Sequence, residues 1–393
     1  MRIIHTADWH LGRRLRGIDR TPEIAAALQQ ILKQAIAEEV DAVLIAGDIF
    51  DVPNPPAYAE RIAYQFFCAL QEAGIPAIAI AGNHDSHARI DSIAQLLSLA
   101  GVRALGKPRT AADGGSMTLN TKSGKLCVGA MPFASEQRLL DADALWHADD
   151  VERRQSYREI VAYLLEDLAS DFRDNTVNVL MGHMSVDGAR IAHSEVPYYT
   201  RDKYLLSSQA LPAAAQYMAL GHIHIHQRIA ANSPAYYSGS LIQLDFGEAE
   251  QQKGFCLISV EPGSQPQVEF KPLLAHKPLK VIQCHIDALD DTLETHQYHP
   301  GYLKVIVQME SPTMGLADRV RQICPQALLV EPRYLEVPQE RQKRAVNIDP
   351  NHFEPAEEFF NYYQSRLGLT PKSSVLEEFN NLYNKQKETN LSN

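Results

Sequence analysis

Five times in its first 224 residues, the chain runs from an apolar segment straight into a short block of small residues, carboxylates, amides and imidazoles. RIIHTA leads to Asp8-Trp9-His10, DAVLIA to Gly47-Asp48, and PAIAIA to Gly82-Asn83-His84-Asp85. VNVLM leads to Gly182-His183, and YMAL to Gly221-His222-Ile223-His224. Short apolar runs of this kind read as buried strands, and the helical periodicity between the first three requires crossover connections, hence an α/β sheet. Functional side chains in such a sheet gather beyond the carboxyl ends of the strands.

The periodicity predicts strands over 2–6, 41–46 and 76–81 and helices over 22–39, 57–73 and 91–100. In the first helix Ile24, Leu28, Ile31, Leu32, Ala35 and Ile36 share a face; Thr21-Pro22 suits its start, and Gly74 ends the second. Further strands are expected over 117–119, 126–130, 177–181, 235–237, 254–260 and 268–272, with a long helix over 151–171, so the core is mixed rather than purely doubly wound. Residues 274–278 resemble a boundary. The expected organisation is a domain over 1–274 and a small α+β module over 279–336, with strands over 279–286, 302–309 and 327–335 and a helix over 316–324. A polar linker follows over 337–353, then a pair of amphipathic helices within 354–393. The apolar residues of that pair (Phe359, Phe360, Tyr363 and Leu367; Leu376, Phe379, Leu382 and Tyr383) are too few to make a core and suit docking on a partner.

Charge limits the partners. With 37 Lys+Arg against 48 Asp+Glu the formal charge is −11, so any binding of phosphates must be local or assisted by bound cations. Cys68, Cys127, Cys256, Cys284 and Cys324 are scattered, which argues against a disulfide framework or zinc knuckle. The opening MRIIHTADWH has no signal-peptide core, and no apolar run approaches the ~18 residues of a membrane span. A cytoplasmic protein that does not engage membranes is expected.

Asp8, His10, Asp48, Asn83, His183, His222 and His224 form a donor set of oxygens and imidazoles without thiolate. That set suits Mn²⁺, Fe²⁺ or Zn²⁺ better than Mg²⁺ or Ca²⁺. Seven donors exceed one tetrahedral ion and fit two ions sharing a carboxylate, the arrangement used for displacement at phosphorus. In an extended segment residues i and i+2 point the same way, so Asp8 and His10 are expected to share a face, as are His222 and His224. His5 has the opposite parity and reads as a buried histidine bonded to backbone; His226 reads as a supporting or exposed group.

The blocks D-x-H…G-D…G-N-H-D…G-H…G-H-x-H resemble the signature of the calcineurin-like metallophosphoesterases. HTADWHLGRRLRGIDR, GNHDSHARI and YYSGSLIQLDFGEAEQQKGF are further similar to the SbcD family of bacterial nuclease subunits, and general phosphatases lack the last of these. The resemblance implies a mixed β-sandwich flanked by helices, with a small capping domain. It implies one ion held by Asp8, His10, Asp48 and His224 and another by Asp48, Asn83, His183 and His222, with manganese as the working metal. His84 would face the scissile phosphate, and Asp85 would orient a histidine, His84 itself being the natural one. The implied activity is exonuclease action on duplex DNA ends and endonuclease action on single strands and hairpins, in DNA repair and recombination. The implied partners are DNA, an SbcC-type SMC-like ATPase and a second copy of the chain within a heterotetramer, the helices over 57–73 and 91–100 forming the contact between copies.

Arg13, Arg14, Arg16, Arg20 and Arg89 lie near the donor blocks in sequence and are candidate phosphate contacts. A stand-alone metallophosphatase or cyclic-nucleotide phosphodiesterase would need the same donors but leaves the last 120 residues or so without a task. A non-catalytic scaffold subunit would be favoured by a missing donor, and none is missing.

Overall fold

The computed structural model describes residues 1–135, 139, 150–192, 194–195, 204–334, 355–367 and 370–390. The expected linker over 337–353 lies outside the described residues.

Sheet one is built from β1 (Arg2–Thr6), β2 (Ala42–Ile45), β3 (Ala77–Ile80) and β4 (Val102–Leu105), all parallel, alternating with α1 (Thr21–Ala37), α2 (Ala57–Glu72) and α3 (His87–Leu99). Sheet two contains β5 (Ser116–Thr121), β6 (Gly124–Met131), β7 (Val177–His183), β8 (Tyr217–Gly221), β9 (Gln227–Ile229) and β10 (Ala235–Tyr237), with α4 (Asp150–Ala169) between β6 and β7. Its order is β9-β10-β8-β7-β6-β5. The chain then returns to sheet one, adding β11 (Gly254–Ser259) antiparallel to β1 and β12 (Gln267–Pro272) beside it. Sheet one therefore reads β12-β11-β1-β2-β3-β4.

The central strands are largely apolar because both faces of each sheet are covered there. In sheet one Ile4, Val43, Ile45, Ala77 and Ala79 point to the layer that holds α1 and α2. The alternate residues Ile3, Ala42, Leu44, Ala46, Ile78 and Ile80 meet Val128, Val179, Met181 and Ala219 of sheet two. On the far side of sheet two, Leu180, Met218 and Leu220 pack with Val161, Leu165 and Leu168 of α4. The result is a four-layer sandwich, helix–sheet–sheet–helix, in which the carboxyl ends of β1, β2 and β3 face those of β7 and β8.

Helix starts differ from the expectation in two places. Thr21 is the first residue of α1 rather than its cap: the cap position is Arg20, and Asp19 Oδ1 accepts from the Thr21 amide at 3.0 Å. The third helix starts at His87, not 91, because Ser86 caps it by accepting from the Arg89 amide.

The module after residue 278 has three parallel strands, β13 (Leu279–His285), β14 (Tyr302–Met309) and β15 (Ala327–Tyr334), linked through α5 (Leu289–Glu294) and α6 (Leu316–Ile323). No break falls at 274–278. The Leu279 amide donates to Gln243 Oε1 at 2.7 Å, and Leu279 shares a cluster with Leu15 and Phe246 against which Tyr302 and Leu329 pack. The chain divides instead into compact units Met1–Tyr334 and Leu335–Asn393. In the second, α7 (Pro355–Leu367) and α8 (Ser373–Asn390) meet through Phe359 stacked on Phe379, ring centroids 4.2 Å apart. Among the described residues no helix is long and apolar enough to cross a membrane.

Candidate metal centre

The loops leaving β1 and β2 are joined by backbone hydrogen bonds, Asp8 N–H to Gly47 O, His10 N–H to Asp48 O and Leu11 N–H to Ile49 O, each 3.0 Å. The pairing brings Asp8 and His10 beside Asp48 at the sheet edge. β3 delivers Asn83 and His84, while β7 and β8 deliver His183 and His222–His224 from the facing sheet. Asp8, His10, Asp48 and His222 have positive φ (52°, 52°, 52° and 99°), so the donors are aimed by left-handed turns, and the extended i, i+2 geometry expected from the sequence does not apply. Close approach also explains the glycines. A Cβ at Gly82 would lie 2.0 Å from Asp48 Oδ1, and one at Gly47 would lie 2.2 Å from His183 Nδ1.

Two clusters of electron-pair donors result. In one, a donor atom from each of Asp8, His10 and His224 falls within 4.8 Å of the others. His10 Nδ1 donates to Asp51 Oδ1 at 3.1 Å, and His224 Nδ1 has Ser194 Oγ at 2.6 Å and Glu248 Oε1 at 3.3 Å. With those protons on Nδ1, the two Nε2 lone pairs face each other at 3.2 Å. In the other cluster His183 Nδ1 donates to Ala46 O at 2.8 Å, so the Nε2 of the ring, a lone pair when the ring is neutral, faces Asn83 Oδ1 at 3.0 Å and Asp48 Oδ2 at 3.5 Å. His222 Nδ1 is 2.8 Å from the same amide oxygen, and its Nε2 is buried with no hydrogen-bond partner among the described residues. Asp48 Oδ2 also lies 3.7 Å from His10 Nε2, between the two clusters. Lone pairs turned on one another in a dry pocket are repulsive unless positive charge sits among them, and this is the fit expected of divalent-cation ligands.

Electrostatics carry the same demand. Burial alone would lower the His183 pKa, but the Asp48 carboxylate outweighs it with help from Asp8, raising it to about 9. Burial raises Asp8 to about 7 against the pull of His183 and His224. Burial also opposes ionisation of Asp48, yet His183, His84 and His10 hold it well below the usual carboxylate range.

His84 is partly exposed at the mouth of the pocket. Its Nδ1 donates to the backbone oxygen of Asp51 at 2.8 Å, its amide donates to Asp48 Oδ1 at 2.9 Å, and its ring meets His10 edge-on. One of its ring nitrogens also falls within 4.8 Å of donors from His10 and Asp48.

Two expectations are corrected. Asp85 does not touch His84: it is buried and accepts from the amides of Ile49, Phe50 and Gly82, a brace between the β2 and β3 loops. Burial first, then the Asp48 charge, raises it to about 6 against those three donors. Arg20 is 1% exposed and held bidentately by Glu23 at 2.5 and 2.7 Å, so it is not at the surface to meet phosphate.

The other arginines are accessible. Arg13 pairs with Asp51 at 3.2 Å, Arg14 and Arg16 lie on the exposed hairpin of Arg14–Leu15 and Ile18–Asp19, and Arg89 pairs with Glu60 at 2.9 Å. His226 stays outside the donor clusters, stacked on Phe270 at 4.2 Å with Nδ1 bonded to Tyr237 O. His5 is buried between Tyr217 Oη and Leu220 O. The sequence reading missed Asp51, although it stands three residues after Asp48 in GDIFD, where a turn back to the pocket was open to inference. It also missed Ser194, Glu195, Glu248 and Lys253, which reach His224 only through tertiary contact.

Residues 1–226 match the family model described as calcineurin-like phosphoesterase, the class that this sandwich and this donor set define. Within that class the chain is 30% identical over 378 residues to the SbcD subunit of the nuclease SbcCD from Bacillus subtilis, covering 94% of each protein. It is 27% identical to the SbcD subunit of Escherichia coli K12 (88% of this chain, 87% of that one) and 30% identical to that of Staphylococcus saprophyticus (84% of each). A solved dimetal phosphatase from Danio rerio overlaps 69% of this chain and 96% of its own at TM-score 0.41 and 11% identity, too remote to bear on the site. The chain belongs to the calcineurin-like phosphoesterases and, among them, to the SbcD family.

Proposed function

We propose that this chain is the nuclease subunit of an ATP-dependent complex that hydrolyses DNA phosphodiester bonds with two Mn²⁺ ions. The observation that carries the proposal is the convergence of donor atoms from five strand ends, with Nδ1 of His10, His183 and His224 bonded away from the pocket. One ion is assigned to Asp8, His10, Asp48 and His224, the other to Asp48, Asn83, His183 and His222, with Asp48 shared. Bound there, the ions supply a nucleophile at neutral pH and stabilise charge building on phosphorus.

The chain's own residues do the rest. Because His84 Nδ1 donates to Asp51 O, Nε2 is the ring atom left to face the phosphate or the leaving oxygen, and it donates there when the ring is the imidazolium. Arg13, Arg16 and Arg89 bind the backbone of the strand, positioning it without reading sequence. The module over 279–336 orients DNA, and the terminal helices dock on an SbcC-type ATPase in a cytoplasmic assembly with two copies of each chain. The substrates are duplex ends, single strands and hairpins.

The test is cleavage of linear duplex and hairpin DNA by purified protein with Mn²⁺. His84→Ala is expected to lower cutting by at least about 10²-fold while still binding two ions. Hydrolysis of small monoesters with no action on DNA would overturn the assignment in favour of a phosphatase.

A further inference from the structure

The block YYSGSLIQLDFGEAEQQKGF contributes no metal donor, yet its residues close around one of the assigned donors. Glu248 is completely buried, and the polar partners of its carboxylate among the described residues are hydrogen-bond donors. Its Oε2 takes the Lys253 ammonium at 2.7 Å and the Leu244 amide at 2.9 Å, and its Oε1 takes the hydroxyl of Ser194 and faces His224 Nδ1 at 3.3 Å. Lys253, itself buried, also donates to the backbone oxygen of His224 at 2.8 Å and to Gln251 Oε1 at 2.9 Å. Glu195 Oε1 accepts from the His224 amide at 3.0 Å.

The polarity of this network is fixed. A carboxylate anchored by an ammonium can only accept, so the Ser194 hydroxyl must point its hydrogen at Glu248. The oxygen of that hydroxyl is then free to accept from His224 Nδ1 at 2.6 Å. The neutral ring of His224 therefore carries its proton on Nδ1, and its Nε2 lone pair is turned into the pocket.

We infer that the Glu248–Lys253 ion pair is a positioning device for His224. The carboxylate sets the tautomer of the ring through Ser194, and the ammonium holds the backbone of the same residue. The inference rests on the two-ion assignment of the proposed function. It gives the GEAEQQKG segment the task of tuning the ion at His224 and leaves the ion at His183 and His222 untouched. Partners of this kind in the outer layer of a metal site are worth about 10–100-fold in affinity.

The experiment titrates Mn²⁺ into the full-length metal-free protein, wild type and Glu248→Gln, by calorimetry and by electron paramagnetic resonance. Histidine ring tautomers of the metal-free proteins are read by ¹⁵N nuclear magnetic resonance. Wild type is expected to bind two spin-coupled ions and to show His224 as the Nδ1–H tautomer. Glutamine keeps the shape but lacks the charge that fixes the direction of the protons. Glu248→Gln is expected to weaken one ion about 10–100-fold, leave the other unchanged, uncouple the spins and mix the tautomers. Ser194→Ala removes the relay without unpairing a buried charge; it is expected to weaken the same ion and carries the test if Glu248→Gln does not fold. Two ions in wild type with unchanged affinity and tautomer in whichever variants fold would overturn the positioning role alone. Fewer than two ions in wild type would overturn the two-ion assignment itself.

Discussion

Gly82 and Asp48 define how tightly the residues of the pocket are set. The hydrogen of Gly82 occupies the place where any Cβ would lie 2.0 Å from Asp48 Oδ1 and 2.4 Å from the Asp48 amide nitrogen. Gly82→Ala must therefore push the Asp48 carboxylate off its position. The expected outcome is about 1–3 kcal/mol of destabilisation, read as a lower thermal midpoint, together with loss of tight two-ion binding in a Mn²⁺ titration. Unchanged stoichiometry and midpoint would mean that the β2 and β3 loops yield more easily than the contact indicates. The positions of the candidate donors were legible because each closes an apolar run, and no distant information is needed to see that. Their aim was not. The left-handed turns at Asp8, His10, Asp48 and His222 are forced by loops that pair with one another across the sheet edge, and a parity rule for extended chain has no access to them.

At the scale of elements, α1 is anchored to the sandwich by a buried charge pair at its first turn. Arg20, 1% exposed, is clasped by Glu23 and donates to Gln243 O at 3.2 Å. Arg20→Ala would leave the Glu23 carboxylate buried and unpaired, so the expected cost is about 3–5 kcal/mol, measured as a shift of the urea midpoint. Because Arg20 is out of reach of DNA, the salt dependence of DNA binding should stay as in wild type. Arg13→Ala, by contrast, should reduce the slope of log Kobs against log salt by about 1 at little cost in stability. A reduced slope for Arg20→Ala would return that residue to the phosphate contacts. Sequence proximity to the donor blocks could not separate these arginines, because whether a side chain turns inward depends on an acid one turn along the helix and a carbonyl more than 200 residues away. Local signals served better elsewhere. The strands 235–237 and 302–309 coincide with the expected ranges, since apolar runs between turn residues bound them on both sides. The strand Val102–Leu105 escaped notice because it is a four-residue edge strand with an exposed Arg103.

Over the whole molecule, the pairing that closes the catalytic unit joins residues far apart: β11 lies antiparallel to β1 with Cys256 opposite His5, and the chain returns to sheet one only after building sheet two. Periodicity finds such strands but carries nothing about their partners, so the mixed core was visible in the sequence and the sheet order was not. The same long-range closure makes Met1–Tyr334 one compact unit, with the module after residue 278 tied to the sandwich through Gln243 and the Leu15–Phe246–Leu279 cluster. All the donors of the pocket belong to that unit. A chain ended after Tyr334 is therefore expected to fold, to bind two Mn²⁺ ions with wild-type affinity and to keep the manganese-dependent cleavage of DNA proposed above. The helices beyond it meet through the Phe359–Phe379 stack and leave Tyr362 and Leu382 59% exposed, so their removal should cost association with the ATPase and nothing at the metal centre. Calorimetry, a nuclease assay and co-purification with the ATPase on the same truncated protein separate the two functions. Loss of either ion on truncation would show that the terminal helices complete the catalytic fold, and retained ATPase binding would place the docking surface within Met1–Tyr334.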